Sequence, residues 1–262
     1  METSVVNRID QVFEHEAGKL LNVYFTAGYP KLEDTVPVAS SLAKHGADLI
    51  EIGLPFSDPI ADGPTIQESS DVALANGMTL RVLFEQLQEL RPQVQVPVLL
   101  MGYINPILQF GFERFCAKCQ EVGIDGLILP DLPMHEYLTH YKAILDAHGL
   151  YNIFLITPQT SPERIQEIDA NSKGFIYMVS SASITGAKST ITETQVAYFE
   201  RIKAMKLTRH RLIGFGISSH QTFEQACAYA DGAIIGSAFI KQLAMDSSED
   251  AIKTFIQDIK NG

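Results

Sequence analysis

The sequence predicts an α/β fold, a (β/α)8 TIM barrel with an extra N-terminal helix and a helical insert after strand 2. Three observations lead there. Eight short apolar runs recur at near-regular spacing along 262 residues. Each run is almost continuously apolar, as a parallel strand buried on both faces must be. The stretches between them carry apolar residues at helical spacing. An open doubly wound sheet is the alternative, but it needs a topological switch and usually fewer strands. Neither GxGxxG after the first run nor a P-loop is present.

The runs are NVYFTAG (22–28), ADLIEIGLP (47–55), VPVLLMGY (96–103), GLILPDL (126–132), NIFLITP (152–158), GFIYMVS (174–180), RLIGFGI (211–217) and DGAIIGSA (231–238). Helical stretches are read over 32–45, 80–90, 110–122, 136–148 and 222–230. Val36, Ala39, Leu42 and Ala43 make one helical stripe. Ser161 followed by Pro162 reads as an N-cap with proline at the first helical position. Gly46, Gly123 and Gly149 read as C-terminal stops. The stretch 55–77 is too long for an ordinary barrel loop and reads as a functional insert. With no linker, repeat or low-complexity tract, residues 1–262 read as one domain.

Composition narrows the function. Lys and Arg number 20 against 31 Asp and Glu, a net charge of −11. Without a basic run, neither nucleic acid nor an anionic membrane surface is an expected partner. No long apolar stretch predicts a signal or a membrane helix, so the chain reads as cytoplasmic. Cys116 and Cys119 form a CxxC inside a helical run with no second pair, which reads as one buried helix face, not a metal or redox site. The seven histidines fall outside the predicted strands, and none has metal-ligand spacing.

In such a barrel the active site forms at the C-terminal ends of the strands. Strand two carries Glu51 between Ile50 and Ile52. A carboxylate there is costly unless paired or protonated, and few basic residues lie in the other strands. A raised pKa suits proton transfer near neutral pH. The next loop, PFSDPIADGPTIQ (55–67), holds Asp58 and Asp62. Each is either a turn residue or a catalytic acid held by prolines, and Asp62 with Glu51 is the candidate pair. Asp131, in LPDLP, and Asn105, in GYINP, read either as orienting residues or as turn formers. Late in the chain, SASITGAK (181–188), GFGIS (214–218) and IIGSA (234–238) place glycine where backbone amides can approach an anion.

These segments resemble the alpha-subunit family of tryptophan synthase. The resemblance spans nearly the whole chain and rests on IEIGLPFSDPIADGPTIQ (50–67), LMGYINP (100–106), GIDGLILPDLP (123–133), ITGAK (184–188), GFGIS (214–218) and IIGSAFI (234–240). It implies a retro-aldol lyase that cleaves indole-3-glycerol phosphate to indole and glyceraldehyde 3-phosphate. Glu51 matches the family's general acid/base, and Asp62 the acid that faces the indole nitrogen. Tyr24, Leu100 and Tyr177 match the indole pocket. Gly186, Gly216, Gly236 and Ser237 match the phosphate site, and Thr185 matches a loop threonine that meets the acid of loop two. The resemblance implies no cofactor of the chain's own. Pyridoxal phosphate belongs to a beta subunit, the partner in an α2β2 heterotetramer, expected to dock at 55–59 and 105–109. Two departures stand out. Ser183 replaces a common glycine in the sixth loop, and His135 stands where an acid is common. The competing readings are a free-standing lyase, a non-catalytic activator of the beta partner, and a metal- or lysine-dependent epimerase.

Overall fold

The computed structural model describes residues 6–15, 19–59, 62–180, 192–214 and 216–262. Eight parallel strands close into a barrel in chain order. They are β1 (Leu20–Thr26), β2 (Leu49–Gly53), β3 (Val98–Met101), β4 (Gly126–Ile128), β5 (Tyr151–Ile156), β6 (Phe175–Val179), β7 (His210–Gly214) and β8 (Gly232–Ile235). β8 returns to β1 by pairing Leu20 with Gly232.

Helices wrap the barrel: α1 (Arg8–His15), α2 (Thr35–His45), α3 (Pro64–Ala75), α4 (Leu80–Leu87), α5 (Ile104–Phe110), α6 (Phe112–Val122), α7 (Met134–Glu136), α8 (Lys142–Ala147), α9 (Pro162–Asn171), α10 (Glu193–Ala204), α11 (His220–Cys227), α12 (Ser237–Met245) and α13 (Glu249–Asn261). The extra N-terminal helix is α1, and the insert after β2 contains α3. Several boundaries differ from the sequence reading. The stretch at 110–122 is broken at Gly111, whose φ of 97° no helix accommodates, so α5 and α6 are separate. The stretch at 136–148 contains a π turn over Tyr137–Tyr141. His210 lies in a strand, opening β7 and stacking on Phe13. Gly46 and Gly123 end α2 and α6 in the left-handed conformation, and Ser161 caps α9 through the Arg164 N–H. Cys116 and Cys119 are buried free thiols on one face of α6.

Two apolar layers result. Ile50, Ile52, Val98 and Leu100 face the helices. Leu20, Leu49, Leu99, Ile128, Ile153, Phe175, Leu212 and Ile234 fill the barrel interior. α1 closes its N-terminal end, with Ile9 fully buried against Gly126 and Gly174. A Cβ on Gly174 would lie 2.9 Å from Ile9 Cγ2. Asp125 ties this plug to the sheet. Its carboxylate accepts from Arg8 at 2.9 Å, from Arg91 at 2.6 Å and from the Val98 N–H at 2.8 Å.

Asp125→Ala therefore leaves the part-buried Arg91 without its carboxylate partner, though still bonded to the carbonyls of Gly123, Val94 and Val96, and leaves the Val98 N–H unpaired. We expect it to cost about 3–5 kcal/mol in urea unfolding. Arg8→Ala, at the more exposed side chain, costs less. Equal losses would show that the plug, not the carboxylate, carries the stability.

Candidate active site

The interior turns polar toward the C-terminal ends of β1 and β2. Alternation along β2 sends Glu51 inward, between Tyr24 on β1 and Leu99 on β3 in the register. Glu51 is fully buried. Among the described residues its one hydrogen-bond partner is Asn22, whose Nδ2 donates to Oε1, while Oε2 has none. Burial pushes the carboxyl from 4.5 up to about 8, and the Asn22 bond pulls the other way.

Asp62 lies at the base of the insert, two residues before α3. It is buried too, at 8% exposure. The Tyr103 hydroxyl donates to its Oδ2 at 3.2 Å. Burial raises it from 3.8 to about 6, less than Glu51, and the Tyr103 bond opposes the rise. Asp58 is exposed and accepts from the Ser57 hydroxyl, so the two loop acids part company.

Tyr24 and Tyr177 wall the chamber. A side chain on Gly53 would overlap the Tyr24 hydroxyl, and one on Gly214 the Tyr177 hydroxyl. These glycines at the strand ends make room for the two phenols. Burial, then the charges of Glu51 and Asp62, hold both phenols neutral, far above their usual range. Both tyrosines are thus electrostatically coupled to both carboxyls.

Leu100 is a correction. It is fully buried in the layer between sheet and helices, whereas its neighbour Met101 turns to the interior. An unbroken apolar run carries no phase, so the sequence could not show which residue faces in. Gly216 adopts φ +82° with open space around it, the conformation only glycine takes easily. Gly236 precedes α12, and Ser237 is its first residue, so free backbone N–H groups gather there. Thr185 and Gly186 lie outside the described residues. Asp131 accepts from the Ile104 N–H at 3.0 Å, where α5 begins. Asn105 sits in α5, and the exposed Leu108 follows.

Sequence reasoning missed Asn22 and Tyr103. Asn22 was visible as an amide inside an apolar strand. Tyr103 carried no signal, because its partner lies 41 residues away. Among the described residues, no cluster of His, Cys, Asp or Glu could hold a metal, and no helix is long and apolar enough to cross a membrane.

A closed parallel barrel with two buried carboxyls at the C-terminal mouth defines a TIM-barrel enzyme of acid–base chemistry. The profile of the tryptophan synthase alpha chain matches residues 11–261. The chain is 57% identical to the tryptophan synthase alpha chain of Flavobacterium johnsoniae, over 97% of this chain and 100% of that one. It is 52% identical to that of Parabacteroides distasonis, with the same coverage. The crystal structure of tryptophan synthase subunit alpha from Legionella pneumophila superposes with a TM-score of 0.87 at 34% identity, covering 98% of both chains. The chain belongs to the tryptophan synthase alpha chain family.

The Glu51 shift has a consequence for stability. Its folded value lies above its ordinary one, so ionising it in the fold is penalised. The penalty begins above pH 4.5, grows to about pH 8 and then levels. Glu51→Gln removes it. The melting temperature of the variant minus that of the parent should rise across that window. A pH-independent difference would contradict the shift.

Proposed function

We propose that Glu51 and Asp62 are the carboxyl pair with which this lyase of tryptophan biosynthesis cleaves indole-3-glycerol phosphate. The observation that carries the assignment is their order. Glu51 titrates near 8 and Asp62 near 6, so around neutrality one is an acid and the other an anion. The chemistry needs both at once. Neutral Glu51 gives its proton to C3 of the indole, and positive charge develops at the ring nitrogen. Ionised Asp62 faces that charge. The Glu51 carboxylate then takes the proton of the hydroxyl on the carbon joined to C3. The oxygen lone pair forms the aldehyde, the carbon–carbon bond breaks, and its electrons return to the ring. Glu51 ends protonated, as it began.

Tyr24, Tyr177 and Met101 line the space for the indole. Gly216, Gly236 and Ser237 offer backbone N–H groups to the phosphate, which suits a chain with an excess of acids. Thr185 and Gly186 join this reading on sequence resemblance alone. The chain needs no cofactor of its own, since pyridoxal phosphate is the beta subunit's. It works in the cytoplasm as one domain, 1–262, and pairs with the beta subunit in an α2β2 assembly through 55–59 and 105–109. Phe56 of the first segment stacks on Tyr103 at 5.1 Å, and Tyr103 bonds Asp62, so a partner there touches the chemistry through one ring.

The test is indole release from indole-3-glycerol phosphate, read by fluorescence in a chain with no tryptophan of its own. The rate at low substrate, which follows kcat/KM, should rise through about pH 6 and fall through about pH 8. Glu51→Gln should lower kcat by about a hundredfold or more. Unchanged indole formation in that variant would overturn the assignment. Adding a beta subunit should raise the rate, and full activity without it would favour the free-standing lyase.

A further inference from the structure

Among the described residues, Glu51 Oε2 and Asn22 Oδ1 are buried polar atoms of the barrel interior without a hydrogen-bond partner. Both residues are fully buried, and they meet each other through Asn22 Nδ2 and Glu51 Oε1. Asn22 stands on β1 opposite Leu49 and Ile234, in an otherwise apolar layer. An amide buried there with an unmade bond costs stability, which neither packing nor the register explains. We propose that Asn22 is a positioning residue that anchors Glu51 by Oε1 and so leaves Oε2 as the oxygen that exchanges protons with substrate.

The argument follows from hydrogen-bond capacity. An amide N–H serves a carboxyl in both its states, because the carbonyl oxygen of the acid and an oxygen of the carboxylate both accept. One anchor therefore holds Glu51 while it gives a proton and takes one back. Without it the carboxyl is free to turn about its last bond, since Oε2 has no competing tether. The bond is stronger to the carboxylate, so it also favours the ionised form. The titratable groups coupled to Glu51 are Tyr24 on β1 and Tyr177 on β6, each of which is also coupled to Asp62 in the loop after β2, while β3 and β8 present Leu99 and Ile234. Among the described residues no lysine, arginine or histidine contributes to its titration. Asn22 is then the one described group that pulls Glu51 toward ionisation.

The inference rests on the catalytic reading of Glu51, and the experiment separates the two. Asn22→Leu keeps the shape and removes the amide. The Glu51 titration is followed by NMR with 13C-carboxyl glutamate, its signal being the one that Glu51→Gln removes. We expect the midpoint to rise by about one unit. In the indole assay the high-pH limb of kcat/KM should move up with it. kcat should fall about tenfold or more below that limb, with KM within about threefold. Asn22→Ser, too short to reach Oε1, should move the midpoint the same way and serves if the leucine variant does not fold. An unmoved midpoint overturns the inference whatever the activity. A moved midpoint with kcat unchanged also overturns it, because the anchor would then position nothing. A moved midpoint in a protein whose Glu51→Gln variant is fully active refutes the catalytic reading instead, and with it the anchor's purpose.

Discussion

The burial of one carboxyl, Glu51, inside a closed apolar barrel is the constraint on which the rest depends. No cation relieves it among the described residues, and a single amide N–H touches it. A charge so placed is expensive, and the group responds by keeping its proton to about pH 8. The neighbouring Asp62, at the barrel mouth and held by a phenol, loses its proton earlier. Different surroundings thus set two carboxyls of one chamber to different protonation states.

The fold supplies those surroundings cheaply. Glycines at the ends of β2 and β7 make room for the hydroxyls of Tyr24 and Tyr177, each reaching over the neighbouring strand, and both rings are buried. At the opposite end α1, pinned through Asp125, seals the interior with Ile9 and Phe13. One end of the barrel is closed for stability, and chemistry is confined to the other, as the general division of labour in this fold requires.

Much of this was legible in the sequence. Glu51 announced itself because a charge between two isoleucines in a buried strand has few innocent explanations. Strand rhythm and the glycine stops placed the barrel, since burial on both faces leaves an unbroken apolar run. The same property hid the phase of β3. Nothing in VPVLLMGY separates an inward residue from an outward one, and Leu100 was read as facing in when Met101 does. Asp58 and Asp62 looked alike because turn chemistry is local, whereas the burial that separates them is set by elements far along the chain. The role of Tyr103 was illegible for the same reason, and Asn22 showed only as an amide in an apolar strand with its partner hidden. Their roles exist only in contacts to carboxyls 41 and 29 residues away.

The central claim is that, near neutrality, one buried carboxyl of the pair is protonated while the other is ionised. Infrared difference spectroscopy reads this without turnover, because a neutral carboxyl shows a C=O stretch that a carboxylate lacks. At about pH 7 the substrate-free protein should show a buried, protonated carboxyl band that Glu51→Gln abolishes and Asp62→Asn preserves. A band that vanishes in Asp62→Asn and persists in Glu51→Gln, or no protonated carboxyl at that pH, would contradict the account.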